Sequence, residues 1–249
     1  MADFTNFVSK GYLDGTEFNE NVSFTYKFDT PISDRLTILA GLARGKRVLH
    51  IGCCDHPPNL RTKLAEHKWL HGRLSEVAEE CVGIDINAEA VEYAKSISGL
   101  KNIYCRDITG RVAIPEISHL MFDCVIFGEV LEHIGNPVNF LGSFVRRYGT
   151  NVRRVVITVP SALRGGNVLN IFRNRETINS DHRFFFTPYT LSKVAWDAGL
   201  LPLSVQVACY SHAGIAKRFI LNKFPLLAED LVYIGVPRAE AASSEAPHD

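Results

Sequence analysis

Short apolar runs alternate with stretches of helical spacing through the middle of the chain. Arg47-Val48-Leu49-His50-Ile51, Cys81-Val82-Gly83-Ile84-Asp85, Asn102-Ile103-Tyr104-Cys105, Phe122 to Phe127 and Arg154 to Val159 are short and β-branched, as strands covered on both faces are. Between them Leu60 and Leu64, then Leu74, Val77 and Ala78, then Ala90, Val91 and Ala94, then Phe140, Phe144 and Val145 fall at spacings that give a helix one apolar face. This alternation predicts an α/β, doubly wound core with a mostly parallel sheet.

After Val159 the pattern changes. Residues 160–181 are polar, with Gly and Asn, and predict a loop with a short helix near Val168 to Phe172. An irregular stretch of that length inside a compact domain is usually a functional lid. Thr187-Pro188 predicts an N-cap and first helical residue, with the helix running to about Ala198 and stopped by Gly199. Leu200 to Cys209 and Leu231 to Val236 read as two more strands. Ala213 to Lys223 has helical spacing and carries Lys217, Arg218 and Lys223, read as a solvated face with an anionic-ligand or membrane-surface patch as the alternative.

The ends differ from the core. Residues 1–45 hold Phe4, Phe7, Tyr12, Phe18, Phe24, Tyr26 and Phe28 without a period until Ile32 to Leu42, and predict a cap or lid over the core. Phe24 and Tyr26 would either close over a ligand or pack on the sheet edge. Residues 238–249 are Ala- and Ser-rich with Glu and Pro, and predict a disordered tail. The expected organisation is therefore a cap at 1–45, a main domain at 46–237 with a pocket insertion at 160–181, and the tail.

Composition narrows the function classes. Lys plus Arg and Asp plus Glu are 27 each, so the chain is neutral, with 46% hydrophobic residues. That balance fits a globular protein and removes the broad positive field of a nucleic-acid binder. An acid stands near the N-terminus, and no apolar stretch approaches the ~20 residues that cross a bilayer, so a cytoplasmic protein is expected. Cys53, Cys54, Cys81, Cys105, Cys124 and Cys209 form no CxxC pair and read as reduced thiols.

Candidate chemistry collects at strand ends. The first strand runs into Gly52-Cys53-Cys54, a turn whose glycine lets a ligand approach the backbone. Asp85 ends the second strand, where a carboxylate can accept both hydroxyls of a ribose. Asp107 follows the third, able to accept from an exocyclic amine, with Ile108 beside it to pack on a base.

With these residues, with Phe122-Asp123-Cys124-Val125-Ile126-Phe127-Gly128-Glu129-Val130-Leu131-Glu132-His133-Ile134 and with Asp181-His182-Arg183-Phe184-Phe185-Phe186-Thr187-Pro188, the chain resembles the class I S-adenosylmethionine-dependent methyltransferases. The likeness spans roughly residues 45–237 and is most specific at Glu-Val-Leu-Glu-His. It implies a seven-stranded Rossmann-like sheet whose two late strands form an antiparallel edge. It also implies S-adenosylmethionine as cofactor, with its methionine part at Gly52, Cys53 and Cys54, its ribose at Asp85 beside Ile86, and its adenine at Asp107 and Ile108. Gly128 and Glu129 complete that side. Two residues depart from the family: His50 replaces an acid and Cys54 a glycine. The connection from Gly52 to Asp85 is longer than the ~20 residues of a dinucleotide fingerprint, which predicts an extended helical connection over His56 to Glu80. The absence of GxGxxG argues against a nicotinamide cofactor.

Methyl transfer from a sulfonium is an in-line displacement, and a hydroxyl acceptor must also lose a proton to a base or to a metal-assisted ionisation. Glu129, Glu132 and His133 would share one side of a helical turn and converge on an ion, with His182 as a fourth ligand. The set resembles the metal site of the methyltransferases of ubiquinone biosynthesis and of small-RNA 2′-hydroxyl ends. Metal-free members share the same string; there, His133 or His182 is the expected base, with Glu132 beside them. His56 near the turn is a further candidate for substrate contact. The expected function is O-methylation of a small-molecule, sugar or polysaccharide-precursor hydroxyl. The alternatives are a quinone precursor, an RNA 2′-hydroxyl, or a non-catalytic cofactor-binding regulator.

Overall fold

A computed structural model describes residues 8–28, 31–210 and 214–238. Seven strands form one sheet: β1 Arg47–Ile51, β2 Glu80–Asp85, β3 Ile103–Cys105, β4 Cys124–Gly128, β5 Val155–Pro160, β6 Leu200–Ala208 and β7 Asp230–Pro237. Their order is β3-β2-β1-β4-β5-β7-β6. β1 to β5 pair in parallel, and β7 lies antiparallel to both β5 and β6. The strand order reverses beside β1, and ligands of open α/β sheets bind at the carboxyl ends around such a point. β1 and β5 are buried along almost their whole length, which is why their sequences read as continuous apolar runs.

The helices are α1 Lys10–Asp14, α2 Arg35–Ala43, α3 Pro57–Ala65, α4 Leu70–Val77, α5 Ala88–Ser98, α6 Pro115–Ser118, α7 Pro137–Tyr148, α8 Gly165–Ile171, α9 Pro188–Asp197 and α10 Ile215–Lys223. Local chemistry starts them: Asp34, Asn87 and Asn136 side chains accept from the backbone of the first turns of α2, α5 and α7. Thr187 and Thr190 form a reciprocal capping box at α9. α7 and α9 bury Leu141, Phe144, Val145, Leu191 and Trp196 against one face of the sheet.

The two late strands form the antiparallel edge, with β7 between β5 and β6 and opposed to both. Three expectations change. The fourth strand begins at Cys124; Phe122 makes only an isolated bridge to Val152. The connection over His56 to Glu80 is two helices, α3 and α4, broken where His67 takes φ +54°. Arg238 is anchored, its guanidinium 4.3 Å over the Trp196 ring and its amide bonded to the Gly199 carbonyl. The rest of the predicted tail, with Phe4, Phe7 and Ala213, lies outside the described residues.

Residues 8–28 lie against α9. Lys193 Nζ donates to the Tyr12 and Leu13 carbonyls at 2.8 and 2.7 Å, and Phe24 stacks on Tyr189 at 5.0 Å. No helix among the described residues is long and apolar enough to cross a membrane.

Candidate active site

The turn after β1 is shaped by Gly52. Its φ is +70°, and a Cβ there would stand 2.4 Å from Val130 Cγ2, so backbone and space both require glycine. The next two residues are pinned: Trp69 Nε1 donates to the Cys53 carbonyl at 2.9 Å, and the Cys54 amide donates to Asp85 Oδ2 at 2.9 Å. The Asn87 amide holds the other oxygen, Oδ1, at 3.0 Å. Asp85 thus ties the two turns together, and each of its oxygens keeps a lone pair for a further donor. Ile86 beside it is 73% exposed, an apolar shelf at the cleft edge.

The cleft above these turns has a volume of about 670 Å³ and is walled by Gly52, Cys53, Cys54, Asp85, Gly128 and Glu129 on one side. Asp107 and Ile108 do not line it. Ile108 is buried in the core, and Asp107 Oδ1 is engaged by the Thr109 amide and hydroxyl.

His50 stands where an acid is usual, and it has a partner. Its ring stacks on His71 with Nδ1 to Nδ1 at 3.3 Å, so one nitrogen carries the hydrogen and the other accepts it. Burial first, then His71, hold His50 far below the usual imidazole range; burial brings His71 to about 4. The pair is neutral at physiological pH. Gly83 makes room for it, since a Cβ there would lie 2.8 Å from His71 Cε1.

A largely buried charge cluster backs the cleft wall, with Arg35, Glu129 and Glu132 reaching the cleft. Glu129 takes φ +59°, an uncommon conformation for a residue with a side chain, and this turns its carboxylate to Arg35 Nη1 at 3.8 Å. Arg35 Nε is 3.4 Å from Asp230 Oδ2, and its Nη1 donates to Thr158 Oγ1 at 3.3 Å. Glu132 is fully buried, and neither of its oxygens has a partner. Burial first and Glu129 second push both Glu132 and Asp230 to about 9. One arginine cannot hold three carboxylates ionised, so these two keep their protons at neutral pH.

A histidine pair lines the same cleft. His133 and His182 meet edge to face at 4.7 Å, and His133 Nδ1 is 3.3 Å from the Asp181 carbonyl. A carbonyl only accepts, so Nδ1 carries the hydrogen and Nε2 is left with its lone pair. Burial, then His133, lower the pKa of His182, whose Nδ1 has no partner. Arg183 stitches this segment to the strand end, its amide to the Glu132 carbonyl at 2.7 Å and Nη1 to the His133 carbonyl at 2.9 Å.

Glu132, His133 and His182 each bring a donor atom within 4.8 Å of the others. Glu129 does not join them. The Glu129 to His133 stretch is not the helical turn that its spacing predicts, because the chain leaves β4 through the positive-φ Glu129 and forms only a short 3-10 turn over Leu131–His133. His56 stands 3.8 Å from Asp181 at the cleft rim. The sequence reading missed Arg35, Asp230 and the partnership of His50 with His71. An acid at the head of an apolar strand, Asp230 before Leu231-Val232-Tyr233, was the available signal.

Comparison with known proteins agrees with this architecture. A family profile described as a methyltransferase domain matches residues 24–205. No curated protein matches the chain. Among solved structures, the complex of the Haloferax volcanii Trm112 methyltransferase activator with a candidate methyltransferase superposes with a TM-score of 0.51 at 14% identity, over 86% of this chain and 90% of that one. A SAM-dependent methyltransferase from Aquifex aeolicus has a TM-score of 0.48 at 16% identity, over 82% and 88%. Magnesium protoporphyrin IX methyltransferase from Synechocystis PCC 6803 with bound SAH has 0.48 at 14%, over 80% and 78%.

Proposed function

We propose that this chain, which belongs to the methyltransferase-domain family, uses S-adenosylmethionine to methylate a hydroxyl of a small-molecule, sugar or polysaccharide-precursor acceptor in the cytoplasm. The observation that carries this reading is the His133 and His182 pair, with a bare His133 Nε2 at the cleft. A hydroxyl acceptor needs a base, and this pair offers one.

The residues fit the cofactor. The Gly52 turn opens the backbone, Asp85 retains lone pairs for ribose hydroxyls, and exposed Ile86 offers an apolar shelf. S-adenosylmethionine, when bound, supplies an electrophilic methyl group on a sulfonium. His133 Nε2 takes the acceptor's proton, while the Asp181 carbonyl keeps the ring in the tautomer that allows it. His182 stays neutral beside it and keeps a second imidazole nitrogen in reach of the acceptor. Segment 160–181 contributes Arg164, Asn179 and Asp181 to the same wall and limits water access.

The three-donor cluster favours one second reading. A carboxyl with two unpartnered oxygens and two imidazoles suit a divalent cation such as zinc or manganese, which would displace the carboxyl proton and lower the hydroxyl pKa in place of a base. Glu132, His133 and His182 would hold it.

Calorimetric titration with S-adenosylmethionine and S-adenosylhomocysteine comes first, followed by transfer of a labelled methyl group to a panel of hydroxyl acceptors. His133→Ala and His182→Ala should lower turnover by about 10²- to 10⁴-fold with cofactor affinity nearly unchanged. Normal turnover by both variants would overturn the assignment. Activity lost to a chelator and restored by one divalent ion would select the second reading; activity indifferent to chelation would select the base.

A further inference from the structure

The function above leaves helix α10 unused, and its exposure is unusual. Leu221 alone of its residues is buried against the body. Ile215 and Phe219, one helical turn apart and pointing away from Leu221, are 91% and 73% exposed, and Ile220 and Phe224 are more than half exposed. Soluble surfaces rarely present so many large apolar side chains on one short helix without covering them.

The charges on this helix and on the turn after it are of one sign. Residues 214–228 contain Lys217, Arg218 and Lys223 and no acid, in a chain whose net charge is zero. Lys217 is tied to Glu229, so Arg218 and Lys223 are the cations that flank the apolar face. Across the turn that follows α10, Leu227 meets Gly165 at the start of α8 with its carbonyl 3.6 Å from where a Cβ would stand. α8 in turn leads to exposed Leu169, Ile171 and Phe172, followed by Arg173 and Arg175.

We propose that α10, with the exposed end of α8, docks on the surface of an anionic lipid bilayer. Apolar side chains on the outer face with cations at its borders match what an interfacial helix needs: rings for the acyl boundary and positive charge for the headgroups. A bare apolar face would suit another protein equally well; the local positive excess on a neutral chain selects the anionic surface. Docking would also orient the active site. Lys217 and the Tyr210 amide both bind Glu229, and Tyr210 and Arg164, the residue before α8, line the cleft. The cleft mouth would therefore lie near the interface, where an amphiphilic hydroxyl acceptor is presented. The docking does not depend on which acceptor is used.

The test is co-sedimentation of the full chain with vesicles of phosphatidylcholine alone and of phosphatidylcholine with about one third phosphatidylglycerol. Binding should be strong on the anionic vesicles, weak on the neutral ones, and reduced by high salt. Ile215→Glu with Phe219→Glu, and separately Arg218→Glu with Lys223→Glu, should each lower partitioning by at least about tenfold. Melting temperature and cofactor affinity should be unchanged, since these side chains are exposed and do not line the cleft. Equal binding to both vesicle types, or variants that bind like the parent, would overturn the proposal. So would a parent that ignores vesicles but self-associates until Phe219 is replaced, which would make a second copy the occupant of this face.

Discussion

Replacing Glu132 with Gln separates what this carboxyl does for the fold from what it does for the chemistry. Burial and the neighbouring Glu129 move its pKa from 4.5 to about 9. The folded protein therefore keeps a proton that the unfolded chain gives up, and folding takes up that proton at every pH between those values. Stability is fully present below the unfolded pKa and falls as pH rises, by about 1.4 kcal/mol per unit, until the folded pKa is passed. At about pH 7 the accumulated loss is about 3 kcal/mol, against under about 1 kcal/mol at pH 5. Gln keeps the shape and the neutral polar head but cannot ionise in either state. Glu132→Gln should thus gain about 3 kcal/mol at pH 7, a melting temperature higher by roughly 6–12 °C in a chain of this length. The gain should nearly vanish at about pH 5. Thermal unfolding of both proteins across this range, without cofactor, reads the difference directly. Asp230, also pushed to about 9, leaves the variant a residual slope of the same sign. Equal melting temperatures at neutral pH, or a gap that narrows as pH rises, would refute the reasoning. Methyl transfer should fall in the same variant where Glu132 holds a divalent cation, and stay near the parent's rate where His133 is the base.

Asp85→Ala should weaken S-adenosylmethionine binding by about 10- to 100-fold, because it removes the proposed ribose acceptor and frees the Cys54 and Asn87 amides that hold the turn. Unchanged affinity by calorimetry would sink that role. Gly52→Ala should destabilise by about 2–4 kcal/mol in denaturant titration, from the φ of +70° and the clash with Val130 together. Adding Val130→Ala should recover only the steric part. His182, whose pKa is lowered, should take up its proton only as pH falls below the ordinary histidine value of 6.5, read from its imidazole resonances by NMR. A His182 ring already half protonated at or above that value would contradict it.

Elements set by nearby residues were legible in the sequence. β1 has the bounds that its apolar run predicts, and α9 opens at Thr187-Pro188 because the cap, the fixed proline φ and the reciprocal threonine bonds all lie within four residues. The Glu129 to His133 string misled because its spacing fits a helical turn, while the structure takes one positive-φ residue and then a 3-10 turn. That single backbone choice sends Glu129 toward Arg35 and leaves Glu132 inward with His133 against Asp181. The Arg35, Glu129 and Asp230 cluster was out of reach for a different reason. Its members come from the start of α2, the end of β4 and the start of β7, and they meet because β7 inserts beside β5 with Asp230 in register with Pro160. Periodicity encodes that β7 is a strand, but not which strand it pairs with. Yet a carboxylic acid at the head of an apolar run cannot be buried ionised at low cost without a counter-charge. Asp230 therefore required a partner or a proton from the outset, and the fold supplies both in part: Arg35 at 3.4 Å, and a pKa raised to about 9.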